Sequence, residues 1–289
     1  MTSTDLKQKA AQIRADVLKM TTAAGSGHPG GSLSSADIMT ALYFGGVIKH
    51  NPVNPQWIER DRFILSKGHV APVLYATLAR CGYFPLQELA SLRQFGSRLQ
   101  GHPDMLKLPG IEMSTGSLGQ GLSIAAGLAY ALRADAEKRG FIPRVFTLLG
   151  DGECQEGQVW EAAMFAAHQK LDNLVAIIDN NGLQIDGHLE EVCDTGDFVQ
   201  KFTAFGWRVI DVDGHDIQAL LAAFEAATNN SEPGPHAIIA RTVKGKGISF
   251  MEGLAAWHGK SLSAEQLVDA LAELADDIGE LDDTEIWDI

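Results

Sequence analysis

The sequence predicts an α/β fold: a parallel sheet with helices on both faces. One observation is a set of short apolar runs, RFILS (62–66), RVFTLLG (144–150), NLVAIIDNN (173–181), RVIDVDG (208–214) and HAIIARTV (236–243), which read as strands buried on both faces. The other is that helical patterns lie between most of these runs, and alternation of strand and helix is the mark of crossover units in a parallel sheet. In such a sheet ligands gather beyond the carboxyl ends of the strands, so the loops that follow the apolar runs are the places to look for chemistry.

At the amino terminus Leu6, Ala10, Ile13, Val17 and Met20 recur at three and four residues, one face of a helix, with Thr2, Ser3 and Thr4 available as caps. The glycine-rich segment AAGSGHPGG is expected to end that helix as a loop. The second strand runs into GDGECQEGQVWEA (150–162), which places Asp151 between two glycines where the strand stops. A helix starting near Glu153 would present its amino-terminal amides there, and Gly150 and Gly152 would let the backbone approach a diphosphate. About thirty residues later, the length of one strand, helix, strand unit, the third strand ends in Asp179, Asn180 and Asn181. If the strands are parallel, Asp151 and Asn181 leave the sheet on the same edge and can share one ligand. Oxygen donors of this kind suit a hard divalent cation, and Mg²⁺ takes few protein ligands when phosphates and water complete its shell. Gly-Asp-Gly is also a common turn; joined to the asparagine pair at this spacing it points to a metal-bound phosphate.

Composition narrows the partners. Of a formal charge of -14, ten acids fall in Ser261–Ile289, which has no Lys or Arg; the body keeps an excess of only about four. That argues against nucleic acid or an anionic membrane as a partner, since both need clustered basic surface. Cys81, Cys154 and Cys193 are far apart, odd in number and without CxxC spacing, so a reducing cytoplasm fits better than a disulfide framework. No run approaches the roughly 20 apolar residues of a membrane span. Residues 1–260 read as one domain and 261–289 as an acidic helical tail, where Leu267, Leu271, Leu274, Ile278 and Leu281 mark one helical face. That face docks on the body or another chain, or else the tail is a solvated acidic helix; both readings stay open.

Four histidines sit in loops beside glycine: His28 in GSGHPGG, His69 in LSKGHVAP, His102 in LQGHPDM and His258 in AAWHGKS. Histidine suits work on a sugar because it donates to or accepts from hydroxyl and carbonyl oxygens near neutral pH.

The GDG and asparagine signature resembles that of thiamine diphosphate enzymes. The ordered series SGHPG, DRFILSKGH, GHPD, TGSLGQGLS, GDGECQEGQVWEA, DNNGLQIDG, DVDGHD, KGKG and WHGK resembles the diphosphate-binding, amino-terminal half of transketolase from about Asp5 to Leu262. The resemblance implies a thiamine diphosphate-binding fold over residues 1–260. It implies Mg²⁺ (or Ca²⁺) held by Asp151, Asn181 and the carbonyl of Leu183, and cofactor contacts from His69, Gly116, Ser117, Leu118, Gly152, Glu156, Asn181, Leu183, Lys244 and His258. It places His28, His69, His102 and His258 in the catalytic centre, with His28 and His258 facing the donor sugar and His102 its hydroxyls. Glu156 matches the family acid that reaches across an interface; as a residue by itself it reads as an acid in the first turn of a helix, favoured by the macrodipole. Ser117 stands where many family members have proline, and Gly247–His258 is only loosely matched.

Transketolase has a second α/β domain, which grips the aminopyrimidine ring and supplies a glutamate to it. The resemblance therefore implies a chain inactive by itself, a C-terminal subunit encoded separately, and an α2β2 assembly that moves a two-carbon ketol group from a ketose (phosphate) donor to an aldose. Alternatives are a subunit of a deoxyxylulose-phosphate-synthase-like or decarboxylating enzyme, and a non-catalytic binding module. The sugar is left open among a pentose phosphate, a branched sugar phosphate and a sulfonated sugar.

Overall fold

The computed structural model describes residues 1–229, 233–279 and 287. The chain begins with α1 (Ser3–Ala23), started by a capping box in which Thr2 Oγ1 accepts from the Asp5 amide and the Asp5 carboxylate accepts from the Thr2 amide. Then follow α2 (Pro29–Ser34), α3 (Ala36–Phe44), β1 (Arg62–Leu65), α4 (Ala71–Arg80), α5 (Gln120–Ala134), α6 (Ala136–Arg139) and β2 (Val145–Gly150). The second half holds α7 (Gly157–His168), β3 (Leu174–Asn180), the small antiparallel pair β4 (Leu183–Gln184) and β5 (Gly187–His188), α8 (Leu189–Val192) and α9 (Phe198–Ala204). It ends with β6 (Arg208–Asp213), α10 (Ile217–Thr228), β7 (His236–Arg241) and α11 (Ala264–Ile278).

The five long strands form one sheet in the order β1-β2-β3-β7-β6, every pair parallel. Alternate side chains of the strands feed two cores. Phe63, Leu65, Phe146, Leu148, Val175, Ile177 and Ile238 pack under α1, α3, α4 and α10, whereas Ile64, Val145, Leu149, Ala176, Ile178 and Ile239 pack under α5, α7 and α9. A sheet wetted on neither face explains the near-continuous apolar runs.

Two sequence expectations are corrected, and one of the two open readings of the tail is selected. Residues 208–214 do not form a strand buried on both faces: β6 is the sheet edge, bonded only to β7, with Asp211 and Asp213 exposed. Charge on an open edge blocks pairing with another chain. The glycine-rich loop is shorter than expected, because Pro29 starts α2 inside it. Gly30 sits there because a β-carbon would lie 2.7 Å from the carbonyl oxygen of Trp257. In the acidic tail, α11 lays Leu267, Ala270 and Leu274 against α1 and leaves Glu265, Asp269 and Glu273 in solvent, so it is a docked helix and not a solvated one. Leu281, the last position of that predicted face, lies outside the described residues.

Candidate active site

Because the strands are parallel, their carboxyl ends gather on one edge. There β1 delivers Ser66 and Lys67 and then His69, β2 delivers Asp151, β3 delivers Asn181, and β7 delivers Thr242 and Lys244. Gly150 pairs with Asp179 in the ladder, which brings the two loop tips side by side. They close on each other: Asp151 Oδ2 accepts from the Gly182 amide at 2.5 Å and Oδ1 from the Gly152 amide at 2.8 Å. A cavity of about 300 Å³ opens above them, lined among others by His28, His69, Gly116, Leu118, Asp151, Gly152, Glu156, Asn181, Leu183, Lys244 and His258.

Asp151 is nearly fully buried, and burial, with the charge of Asp179 nearby, raises its carboxyl to about 6 against the pull of the two amides and Lys244. Asn181 donates from Nδ2 to Asp179 Oδ2 at 2.9 Å and accepts at Oδ1 from the Leu183 amide at 3.1 Å. Lys244 Nζ donates to the Leu183 carbonyl at 2.8 Å and stands 3.1 Å from His258 Nδ1. Burial lowers this ammonium to about 8. The donor set fits a hard cation. One buried carboxylate, one amide and one carbonyl line a single cavity, and among the described residues no cluster of three or more His, Cys, Asp or Glu offers a softer site.

His28, His69 and His258 form a triangle with ring centroids 5.0 to 5.3 Å apart. Burial holds all three neutral. His28 falls to about 4, helped by Arg93, His102 and Lys244; His258 falls to about 3, helped by Lys244 and His28; and His69 lies well below its ordinary value, helped by Lys67. His28 Nδ1 is buried without a partner, as expected of an atom kept for a ligand. Above about pH 6.5 folded and unfolded histidines are both neutral. As pH falls the unfolded rings take up protons that the folded ones refuse, so stability is lost toward pH 4. Asp151 works in the opposite sense below about 6, as do the raised carboxyls of Asp16, Asp61 and Glu153. His50, His102 and His236 are lowered like the three site histidines and add to the loss, six histidines against four carboxyls. The thermal midpoint is therefore expected to fall steadily from pH 6.5 to 4, less steeply in His28→Asn, which differential scanning calorimetry checks; an unchanged slope in the variant contradicts it.

Not every expected residue lies in the cavity. His102 is exposed and borders it through Gly116, whose φ of +148° brings it so close that a β-carbon would meet His102 Cδ2 at 2.8 Å. Ser117 faces solvent and accepts from Gln120 Nε2 at 3.2 Å. The α-helix starts four residues later than expected, which is a further correction. Gly152–Gln155 is a 3-10 turn, and α7 begins at Gly157 with Glu156 at its N-cap. The reason is Glu153 itself: its carboxylate turns inward to accept from Ser66 Oγ (2.5 Å), the Gly119 amide (2.9 Å) and the Gly150 amide (3.0 Å). Glu156 is exposed on the cavity rim and makes no capping bond to α7.

The structure adds groups that sequence reasoning passed over. Glu153 ties three loops together, and the buried pair Lys67–Asp179 (2.5 Å) joins Lys67 in the cavity lining to Asp179 below it. A lysine directly after an apolar strand, in LSKGH, is the one signal the sequence carried for the latter.

Residues 6–277 match the family described as transketolase, thiamine diphosphate binding domain. The chain belongs to the transketolase family. Among relatives of similar length, the 6-deoxy-6-sulfo-D-fructose transketolase subunit SqwG of Clostridium sp. (strain MSTE9) is 45% identical over 93% of this chain and 96% of its own length. An apulose-4-phosphate transketolase subunit from Phocaeicola vulgatus is 42% identical over 89% of each chain. The solved transketolase of Campylobacter jejuni superposes with a TM-score of 0.88 at 36% identity over 94% of this chain, and that of Leishmania mexicana with 0.89 at 32% over 99%. This chain spans only 43% of either of those transketolases. The thiamine diphosphate-binding fold expected from the sequence is therefore the fold observed.

Proposed function

We propose that this chain is the N-terminal subunit of a transketolase, which with a separate C-terminal subunit transfers a two-carbon ketol group from a ketose or ketose phosphate to an aldose. One observation carries the proposal: the tips at Asp151 and Asn181 clasp each other beneath a cavity walled by three neutral histidines. Residues 1–260 are the domain that holds the cofactor, and 261–289 an acidic tail whose helix α11 docks on it.

When bound, thiamine diphosphate supplies the nucleophilic carbon and the electron sink for ketol transfer. This chain's part is binding, orientation and proton handling. Asp151, Asn181 Oδ1 and the Leu183 carbonyl would hold Mg²⁺ (or Ca²⁺), which would offset the charge of the diphosphate. Gly152 and the segment Gly116, Ser117, Leu118 would offer backbone to the cofactor, with Lys244 and His258 as further contacts. His28, His69 and His258, neutral at physiological pH, donate to and accept from sugar oxygens, with His102 at the mouth reaching the outer hydroxyls. Glu156 stands on the rim, where a partner domain would close the cavity.

The relatives of similar length are named for a sulfonated fructose and for apulose 4-phosphate, which supports an anionic ketose donor. Both names also call the protein a subunit, which supports a partner chain, and we place the pair in an α2β2 assembly. Three unpaired cysteines, and the absence among the described residues of any helix long and apolar enough to cross a membrane, support a cytoplasmic setting.

The test is reconstitution with the proposed C-terminal subunit, followed by a screen of ketose donors against pyruvate. The pair, and neither chain alone, is expected to transfer a two-carbon unit from a ketose to an aldose. Turnover of pyruvate without ketol transfer would move the chain to the decarboxylating or deoxyxylulose-phosphate-type reading.

A further inference from the structure

Asp179 ends β3 with its carboxylate beneath the site, at 0% exposure. Four side chains donate to it. Lys67 Nζ (2.5 Å), Ser34 Oγ (2.7 Å) and Asn181 Nδ2 (2.9 Å) reach Oδ2, and Thr242 Oγ1 (2.5 Å) reaches Oδ1. The donors come from α2 and from the segments that follow β1, β3 and β7, so the carboxylate knots together four parts of the fold. Lys67 is equally well held: its Nζ also donates to Ser35 Oγ at 2.8 Å and to the Gly31 carbonyl at 3.3 Å. A buried pair this well satisfied adds little net stability, since desolvation consumes most of the attraction. What it does add is direction.

An asparagine side chain has an acceptor oxygen on one branch and two N–H donors on the other, and the two branches have nearly the same shape. Packing alone does not tell them apart. An ionised carboxylate accepts and cannot donate, so Asp179 selects the NH2 branch of Asn181 and turns Oδ1 to the opposite side. There it accepts from the Leu183 amide, and Asn181 and Asp151 border the same cavity. With the amide reversed, N–H donors would face the place where the donor set calls for a cation.

We propose that Asp179, paired with Lys67, is a positioning residue for cation binding: it fixes the Asn181 amide so that oxygen, and not NH2, is offered to the metal. The proposal rests on the functional reading above. It separates the roles of two nearby aspartates, because Asp151 faces the cavity while Asp179 has its charge met by Lys67 and works through Asn181. Partners of this outer kind typically change metal affinity by about 10- to 100-fold.

The experiment is calorimetric titration of the chain reconstituted with its C-terminal subunit, using thiamine diphosphate over a range of MgCl₂ concentrations, which needs no turnover. Asp179→Asn is expected to weaken the apparent Mg²⁺ affinity by at least about tenfold. Asn181→Ala should do the same, and the double variant should lose no more than about twofold beyond Asn181→Ala, because both changes act through one amide. Should Asp179→Asn fail to fold with an unpaired Lys67, Asp179→Asn combined with Lys67→Met removes both charges together and carries the same expectation. Full additivity with Asn181→Ala, as a merely structural role predicts, overturns the proposal; so does an unchanged affinity in the aspartate variant. If the pair with the unmodified chain binds no thiamine diphosphate in a Mg²⁺-dependent way, the functional reading falls and this one with it. If it does bind and Asp179→Asn does not move the affinity, only the positioning role falls.

Discussion

Asp151→Ala is expected to abolish Mg²⁺-dependent binding of thiamine diphosphate, weakening it by more than about a hundredfold, because losing even an outer partner of a metal typically costs 10- to 100-fold. The size follows from how the other acids around the cavity are used. Glu153 spends its carboxylate on Ser66, Gly119 and Gly150. Asp179 is taken by Lys67, Ser34, Asn181 and Thr242. Glu156 is out on the rim. Asp151 alone of these four points a buried carboxylate at the cavity with only backbone amides bonded to it. Its burial has a cost that a cation would offset, and removing the carboxylate removes the site's reason to take one up. Asp151→Asn should fall between the two, since it keeps an oxygen for Gly182 and loses the charge. Calorimetry with and without MgCl₂ measures both variants, and circular dichroism establishes that they are folded. An alanine variant that binds within tenfold of the unmodified chain would remove Asp151 from the metal site.

What the sequence displays and what it conceals divide along a physical line. The strands are legible because a sheet covered on both faces needs apolar residues at every position, and RVFTLLG and NLVAIID have no other stable use. Asp151 and Asn181 are legible for the same reason: they stand one and two steps past such runs, and parallel strands put successive ends on one edge. β6 misleads because Val209, Ile210 and Val212 look like core although only one neighbour pairs with the strand. Glu153 misleads because an acid after GDG reads as a helix start, whereas its destination depends on Ser66, 87 residues away. The Lys67–Asp179 pair spans 112 residues, a distance over which no periodicity carries information. Groups that touch a ligand stand at loop tips and can be read off; groups that orient them are fixed by long-range contacts, and they appear only when the chain is folded.

Glu156→Gln is expected to lower kcat of the reconstituted pair by about 10²- to 10⁴-fold, the usual span for losing a group that holds or moves a proton, while the affinity for thiamine diphosphate changes less than about threefold. Three features of its place argue for this. Glu156 lies on the rim and not in the floor, so it contributes little to holding a diphosphate. It leaves the amides of α7 uncapped, so its carboxylate is not committed to the helix. And the chain makes room for it: Gly119 takes φ +81°, where a β-carbon would meet Glu156 Cβ at 2.5 Å. A carboxylate kept free at the open edge of a cavity suits a proton shared with an acid on the partner chain, and glutamine retains its shape while losing that ability. The competing account, an acid that answers the macrodipole of α7, makes a different forecast. It gives a loss of about 0.3–1 kcal/mol in stability and none in turnover. Measuring the melting temperature, the cofactor affinity and kcat on one preparation separates the two, because the shared proton moves only the last.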